Sequence, residues 1–208
     1  MAEMNPIARF FVNTFTRRVN ARRYRWLTTN LKLSPGASCL EIGCGNGNLA
    51  TRILDGMAPD RYVATDLDPH QIDVARRQLA RHYPHGLPGA LELRTANMLE
   101  LPFPEASFDA VFAYTVLHHA SAEHRDFGNV PRALAEVDRV LRPGGSLVYE
   151  EFLHKDRIRA WLREHGYVLV AGTHHWGRET MAAVKPREPP SSVAGSTDAD
   201  GPTRSNAT

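Results

Sequence analysis

An alternation of short apolar segments with longer amphipathic ones constrains the fold of this chain more than any other feature, and it extends over residues 34–185. Short segments bounded by Gly, Pro or Asp predict strands, which we place at about 37–43, 61–67, 90–96, 108–115, 145–152, 167–173 and 178–184. Amphipathic segments predict helices near 47–56, 69–83 and 129–141, with a loop at 97–107. Because strands that alternate with helices form parallel sheets covered on both faces, we expect a doubly wound α/β domain. Its ligand crevice should lie at the carboxyl ends of the strands.

The residues on either side of this domain differ from it in composition. Residues 1–33 are basic and aromatic, with six arginines and one lysine against the single acid Glu3. Residues 186–208 are rich in Pro, Ser, Gly and Asp, and we expect this tail to be disordered because it cannot bury a core. We therefore predict three units: an N-terminal segment over 1–33, a folded domain over 34–185 and a disordered tail over 186–208.

The overall composition favours a cytoplasmic protein. Hydrophobic residues make up 42% and charged residues 23%, as is typical of a soluble globular chain. No apolar run approaches the ~20 residues of a membrane span, and the N-terminus lacks the pattern of a secretory signal. The two cysteines, Cys39 and Cys44, form no CxxC pair. This argues against a disulfide framework or a zinc site and fits a reducing compartment.

The stretch CLEIGCGNGNLATRI places three glycines, Gly43, Gly45 and Gly47, between the first predicted strand and the first predicted helix. Missing side chains let a ligand approach the backbone, and a helix N-terminus favours electron-rich groups. The Gly-Lys-Ser/Thr of a phosphate-binding loop does not follow, and Asn48 stands where a nicotinamide fingerprint needs Gly or Ala. A carboxylate at Glu41 would repel a pyrophosphate and attract a cation. The loop therefore favours a ligand with an ammonium or sulfonium group.

The glycine loop is the first of four segments that follow one another along the chain: LEIGCGNGNLA, YVATDLDPHQIDVAR, ANMLELPFPEASFDAVFAYTVLHH and EVDRVLRPGGSLVYEE. Together they resemble the successive motifs of class I S-adenosylmethionine-dependent methyltransferases, in the type 11 (UbiE-like) branch, and the resemblance covers roughly 34–185. It implies a Rossmann-like, seven-stranded, mostly parallel sheet with a last antiparallel strand and helices on both faces. It also implies an enzyme that transfers the methyl group of S-adenosylmethionine to an O, N or C atom of a small-molecule or lipid-like acceptor.

The same resemblance implies a cofactor site. The three glycines would pass beneath the methionine and ribose portions, with Glu41 facing the amino group. Asp66 would bind the ribose hydroxyls, since a carboxylate can accept two hydrogen bonds from a diol. Leu67 and Met98 would enclose the adenine, and Asn97, where the family most often has Asp, would accept a hydrogen bond from the adenine amino group. The implied cofactor-binding residues are Glu41, Gly43, Gly45, Gly47, Asp66, Leu67, Asn97, Met98 and Tyr114.

Plainer interpretations stay open for several of these positions. Gly43 and Gly47 could serve only the turn from strand to helix, and Met98 could be an ordinary core residue. The segment LRPGG at 141–145 is most simply a helix stop and a turn before the fifth strand.

The sequence indicates the catalytic residues less clearly than the cofactor-binding residues. By the resemblance, Tyr114 and Thr115 at the end of the fourth strand would border the reacting methyl group. A general base is needed only if the acceptor carries a proton of high pKa. The candidates are Tyr114, His118, His119, Glu150 and Glu151. We favour His118, with Tyr114 as a second candidate, because an imidazole titrates near neutral pH. Alternatively, the histidines only shape the pocket wall. We expect no metal, since no histidines have ligand spacing.

The N-terminal segment allows three hypotheses. Its apolar residues fall four apart on a helix, but arginines rotate onto the same stripe further along; the residues are Ile7, Phe11, Phe15 and Val19, then Arg18, Arg22 and Arg25. We favour a lid over the substrate. A peripheral contact with an anionic membrane is the second possibility. A nucleic-acid contact is the least favoured because the segment has no patterned aromatic platform.

Two other functions compete with methyl transfer. One is a regulatory module that binds S-adenosylmethionine without turnover. The other is a nicotinamide oxidoreductase, which Glu41 and Asn48 disfavour. The sequence carries no motif for a particular acceptor or for an oligomeric state.

Overall fold

The computed structural model describes residues 26–187 except 28, 122, 124 and 176. A sheet of seven strands forms the centre of this region, in the order β3-β2-β1-β4-β5-β7-β6. The strands are β1 (Ser38–Ile42), β2 (Arg61–Asp66), β3 (Leu91–Thr95), β4 (Phe108–Tyr114), β5 (Leu141–Glu151), β6 (Val168–His175) and β7 (Arg178–Val184). β7 runs antiparallel to its neighbours β5 and β6, and the other neighbouring strands are parallel. The predicted seven-stranded sheet with a last antiparallel strand is confirmed.

Helices connect most of the strands. The α-helices that follow β1 in the described region are α1 (Asn48–Met57), α2 (Pro69–His82), α3 (Val130–Val140) and α4 (Lys155–Glu164), and a 3-10 helix spans Leu117–Ala120. α2 begins as its sequence predicts, because the Asp68 side chain accepts a hydrogen bond from the His70 N–H and Pro69 occupies the first turn. The buried face of α2 is formed by Ile72, Ala75 and Leu79.

The order of the strands reverses between β1 and β4. β1 lies between β2 and β4, and Ile42 at its end is in register with Thr65 of β2 and Ala113 of β4. Doubly wound sheets bind their ligands at such a reversal, outside the carboxyl ends of the strands. The residues that follow these three positions therefore meet at the edge of the sheet where a ligand is expected.

The fifth strand begins earlier than the sequence predicts. Leu141 already pairs with Phe108, and the ladder then shifts so that Ser146 pairs with Ala110. Residues 142–145 form the irregularity between these pairs, with Gly144 at a φ of 79°. The residues predicted as a turn, LRPGG, therefore lie inside β5 as a bulge. α3 ends at Val140 and β5 begins at Leu141, so no separate loop joins them.

Apolar clusters cover both faces of the sheet. One cluster contains residues of α3 and α4, and the other contains residues of α1 and α2. Leu27 and Leu31, which precede β1, are buried in the second cluster, so the core continues N-terminal to residue 34. Residues 1–25 of the predicted lid (1–33) and residues 188–208 of the predicted tail (186–208) lie outside the described residues. Within the described part of the chain, no helix combines the length and apolar character needed to cross a membrane.

Candidate functional site

The glycine-rich loop joins β1 to α1 at the strand reversal. Gly43, Gly45 and Gly47 have φ angles of 70°, 51° and 75°, in the left-handed region that residues with a side chain rarely adopt. The loop is held by a hydrogen bond from the Cys44 N–H to the Thr65 carbonyl (2.8 Å) and by one from the Gly47 N–H to the Cys44 carbonyl (2.9 Å). The backbone path alone therefore requires glycine or strain at three positions.

The three glycines differ in what a side chain would meet. A Cβ on Gly43 would lie 2.3 Å from Cγ2 of Val116, and a Cβ on Gly47 would lie 3.2–3.3 Å from atoms of Leu79 and Ala75. A Cβ on Gly45 would meet nothing within 4 Å. Close packing therefore explains why Gly43 and Gly47 are glycines, which supports the interpretation that these two serve the turn from strand to helix. Gly45 has open space in front of it, where a ligand could lie.

Asp66 at the end of β2 contacts the open glycine. Its Oδ2 accepts a hydrogen bond from the Gly45 N–H (2.9 Å), and its Oδ1 accepts one from the Asp68 N–H (3.1 Å). Each carboxylate oxygen can accept a further bond, since an ionised carboxylate offers about four lone-pair sites. The carboxylate that the sequence predicts for a diol thus lies directly at the glycine turn.

Glu41 lies deeper than the other candidate residues. Its side chain is 3% exposed and accepts a hydrogen bond from the Tyr62 hydroxyl (2.8 Å). Burial raises the pKa of Glu41 to about 8, and the charge of Asp66 adds to this, although the bond from Tyr62 lowers it. In the protein without a ligand this carboxyl group is largely protonated at pH 7. No local sequence pattern indicates the Tyr62 partner, which lies 21 residues away on the neighbouring strand.

The residues expected around the adenine follow β2 and β3. Leu67 is 60% exposed. The Ala96 N–H donates to the Asp66 carbonyl (2.9 Å), and this bond fixes the loop that carries Asn97 and Met98 beside the end of β2. Met98 packs against the apolar cluster that contains residues of α3 and α4. The Asn97 Oδ1 accepts a hydrogen bond from the Leu99 N–H (3.0 Å).

β4 ends in a strained residue. Tyr114 is the last residue of β4, and Thr115 after it has a φ of 52°. This conformation is unfavourable for a β-branched side chain and is held by a hydrogen bond from the Thr115 N–H to the Glu150 carbonyl (2.7 Å). Such strain is concentrated at functional sites.

His118 and Glu151 form a buried pair behind this bend. His118 Nδ1 lies 2.8 Å from Glu151 Oε2, and the Leu117 N–H donates to Glu151 Oε1 (2.8 Å). The two residues are 4% and 0% exposed. The His119 ring lies next to His118, with 4.1 Å between centroids. The sequence indicated both His118 and Glu151 as candidates but not their pairing.

Glu150 belongs to a different set of contacts. It accepts hydrogen bonds from the Thr180 hydroxyl (3.1 Å) and from Arg178 (3.4 Å) of β7. Because neighbouring strand residues face opposite sides of a sheet, Glu150 and Glu151 serve different faces. Among the residues that the structure describes, no group of three or more His, Cys, Asp or Glu side chains is arranged to hold a metal ion.

Comparison with known proteins gives the family. Residues 40–149 match the model of a family described as "Methyltransferase domain". The phthiotriol/phenolphthiotriol dimycocerosates methyltransferase of Mycobacterium leprae is 33% identical over 144 residues, which are 69% of this chain and 48% of that protein. The demethylmenaquinone methyltransferase of Symbiobacterium thermophilum is 29% identical over 126 residues, 60% of this chain and 46% of that protein. The chain thus spans about half the length of these curated relatives.

A solved structure shares the fold. The [4+2]-cyclase SpnF superposes with a TM-score of 0.65 at 19% identity, covering 79% of this chain and 80% of that chain. At this identity the likeness concerns the fold alone. The family match, in contrast, covers more than half of the 208 residues. The chain therefore belongs to the family that its motifs predict, the type 11 branch of the class I S-adenosylmethionine-dependent methyltransferases.

Proposed function

We propose that this protein is a methyltransferase that moves the methyl group of S-adenosylmethionine to an O, N or C nucleophile of a small-molecule or lipid-like acceptor. The observation that carries the proposal is the contact between Asp66 and Gly45 at the strand reversal. The Asp66 carboxylate, to which we assign the ribose diol, lies against Gly45, the glycine of the loop that has nothing within 4 Å of a built Cβ. This arrangement suits the ribose diol of a nucleoside.

The residues at the site fit S-adenosylmethionine in shape and chemistry. Gly45 leaves room for close approach, and Asp66 has lone pairs for both ribose hydroxyls. The exposed Leu67 offers an apolar surface for adenine, with Asn97 and Met98 on the neighbouring loop. Glu41 would face the amino group of the methionine portion. The other members of the proposed set are Gly43, Gly47 and Tyr114.

When bound, S-adenosylmethionine supplies a methyl group on a positively charged sulfur. The protein would hold the acceptor in line with that methyl group, and alignment alone can supply an effective molarity of ~10⁵ M or more. Tyr114 and Thr115, at the end of β4, would border the reacting groups. His118 would take a proton from the acceptor where the acceptor carries one.

The names of the relatives support a lipid-like acceptor, since they specify dimycocerosates and demethylmenaquinone. We keep the N-terminal segment 1–33 as the lid over this acceptor, with a contact to anionic membrane as the second hypothesis. Removing residues 1–25, which leaves the buried Leu27 in place, separates the two. Loss of activity on a dissolved acceptor supports a lid, whereas loss of vesicle binding with activity retained supports an anchor.

Calorimetry with S-adenosylhomocysteine tests the cofactor site. We expect binding, and we expect Asp66→Ala to weaken it at least tenfold because the ribose contacts are lost, an energy of about 1.4 kcal/mol or more. Asp68→Ala is the matched control. It removes the N-cap of α2, which costs about 1 kcal/mol of stability, but no ribose contact, so affinity should persist. A folded wild-type protein that gives no binding heat would defeat the proposal, and tight NADH binding would favour an oxidoreductase.

A binding module without methyl transfer is the second candidate. The same fold occurs in a protein named as a [4+2]-cyclase, so the fold by itself does not establish methyl transfer. Incubation with S-adenosylmethionine labelled in the methyl group distinguishes the two. A labelled product supports methyl transfer, whereas binding of S-adenosylhomocysteine without any labelled product supports the module.

A further inference from the structure

Two side chains of α3 hold the backbone of the loop that follows β3. Arg139 donates through Nη1 to the Phe103 carbonyl (2.7 Å) and through Nη2 to the Leu101 carbonyl (2.8 Å). Glu136, one turn earlier, accepts from the Leu101 N–H (2.7 Å) and from the Arg139 guanidinium (2.8 and 2.9 Å). We call Glu136 and Arg139 the α3 clamp. It binds both backbone polar groups of one loop residue and the carbonyl of a second.

A third side chain of α3 extends these contacts toward the end of β3. Arg132 donates through Nε to the Leu99 carbonyl (3.1 Å), and the Leu99 N–H donates to Oδ1 of Asn97 (3.0 Å). The Glu100 N–H donates to the Asn97 carbonyl (3.1 Å) and closes a turn. The turn formed by residues 97–100 is therefore joined to α3 by a continuous series of hydrogen bonds.

The contact with Leu99 fixes the orientation of the Asn97 side chain. A backbone N–H can only donate, so the atom of Asn97 that it contacts is the amide oxygen. An amide oxygen has two lone pairs, and Asn97 is exposed, so the second lone pair can accept from a ligand. The direction of this lone pair depends on where the Leu99 peptide lies. The contacts with α3 therefore bear on the side chain to which we assign the adenine amino group.

Apolar packing alone does not account for the α3 clamp. Leu101 and Phe103 are 3% and 6% exposed, and their side chains already anchor the loop. Apolar contacts are not directional, whereas hydrogen bonds weaken steeply with angle and thus fix the orientation of the peptide groups they bind. The charged side chains of Glu136 and Arg139 are only 20% and 35% exposed, and removing charges from water opposes folding. The clamp is thus suited to orient the loop and not only to attach it.

We propose that Glu136 and Arg139 are positioning residues that give the site its selectivity for adenine, because they orient the turn that carries Asn97. This inference rests on the proposed methyltransferase function and deepens it. The exocyclic amino group of adenine donates to the Asn97 oxygen. Hypoxanthine has a carbonyl oxygen at the same place and cannot donate, so a correctly placed Asn97 favours adenine.

Calorimetry with S-adenosylhomocysteine and S-inosylhomocysteine tests this selectivity, since the two compounds differ only in the base. We expect the wild type to prefer the adenine compound by roughly tenfold or more. Arg139→Met removes the guanidinium but keeps an apolar stem, and it should reduce this preference by about 3- to 10-fold. An unchanged preference, or a wild type that does not distinguish the two compounds, would overturn the inference. A folded wild type that binds neither compound would instead defeat the proposed function.

Arg142→Met is the matched control. Arg142 also joins a loop carbonyl to a carboxylate, since it donates to the Ala106 carbonyl (3.1 Å) and to both oxygens of Asp109 (2.8 and 2.9 Å). These bonds lie at the far end of the same loop. We expect the variant to lose stability in urea unfolding but to keep the wild-type preference for adenine. If both arginine variants lower the preference equally, the cause is a general loosening of the fold and the inference is wrong.

A double-mutant cycle with Asn97→Ala tests whether the clamp acts through Asn97. Arg139→Met should lower the preference for adenine in the wild type but not in Asn97→Ala. Equal effects in the two backgrounds would contradict the inference.

Glu136→Gln is a milder variant that keeps the test decisive if Arg139→Met does not fold. Its amide oxygen can still accept from the Leu101 N–H, but its NH₂ group opposes the Arg139 guanidinium. We expect a smaller loss of the preference for adenine, and no loss would overturn the inference.

Discussion

Replacing Glu41 by glutamine should change the stability of the protein in opposite directions at low and high pH. Burial raises the pKa of Glu41 to about 8, so the folded protein keeps a proton that the unfolded chain releases near pH 4.5. Folding stability therefore falls as the pH rises from about 4.5 to about 8, and it levels off above that range. Glutamine is uncharged at every pH and removes this dependence.

The size of the effect follows from the burial of the group. Each pH unit between the two pKa values costs about 1.4 kcal/mol, so the ionised carboxylate destabilises the folded protein by roughly 3–5 kcal/mol above pH 8. In Glu41→Gln the Tyr62 hydroxyl can still donate to the amide oxygen, but the new buried N–H groups cost about 1–3 kcal/mol. We expect the variant to be less stable than the wild type by about 1–3 kcal/mol at pH 5 and more stable by a similar amount at pH 9.

Urea unfolding of the wild type and of Glu41→Gln between pH 5 and pH 9 measures whether the difference in their stability changes sign. Glu136→Gln is the control, because hydrogen bonds from Arg139 lower the pKa of Glu136 and the residue is ionised in both states over this range. Its free energy of unfolding should be reduced by a constant amount. If the difference between Glu41→Gln and the wild type does not vary with pH, Glu41 is ionised in the folded protein and the reasoning is wrong.

The same residue links folding to ligand binding. If Glu41 faces the amino group of S-adenosylmethionine as proposed, a bound ammonium favours the carboxylate, and binding near pH 7 should release up to about one proton. Calorimetry with S-adenosylhomocysteine in buffers of different ionisation enthalpy measures this proton. The glutamine variant should bind more weakly and release none; release equal to that of the wild type would exclude Glu41 as its source.

Three further substitutions separate packing from ligand binding. Gly43→Ala should cost about 2–5 kcal/mol, because the new methyl group overlaps Val116 and the left-handed backbone is strained, and adding Val116→Ala should recover the packing part in urea unfolding. Gly45→Ala should cost only about 1–2 kcal/mol, since nothing lies within 4 Å, but it should reduce S-adenosylhomocysteine affinity more than stability; an unchanged affinity would show that no ligand passes there. Leu27→Ala should cost about 2–5 kcal/mol, because its side chain is fully buried in the core, and a loss below 1 kcal/mol would contradict that burial.

The sequence by itself determined the order of strands and helices, the glycine loop and the family. These depend on local patterns: apolar segments of strand length, the cap formed by Asp68 and Pro69, and glycines at alternate positions before a helix. It also placed Asp66 at the end of a strand adjacent to the first, because in a doubly wound sheet successive strand ends share one edge. The beginning of β5 was missed, since a bulge depends on the partner strand β4 and not on the local sequence.

Only the tertiary structure decided how the residues at this edge are used. The contacts that distinguish the three glycines come from Val116 and from α2, and the partners of Glu41 and His118 lie 21 and 33 residues away along the chain. Such pairs depend on which strands are neighbours, in what register, and which face each side chain takes. A one-residue shift in register would move Glu151 to the opposite face and separate it from His118. Local periodicity contains none of this information, because side chains far apart in the chain meet only when the sheet has formed.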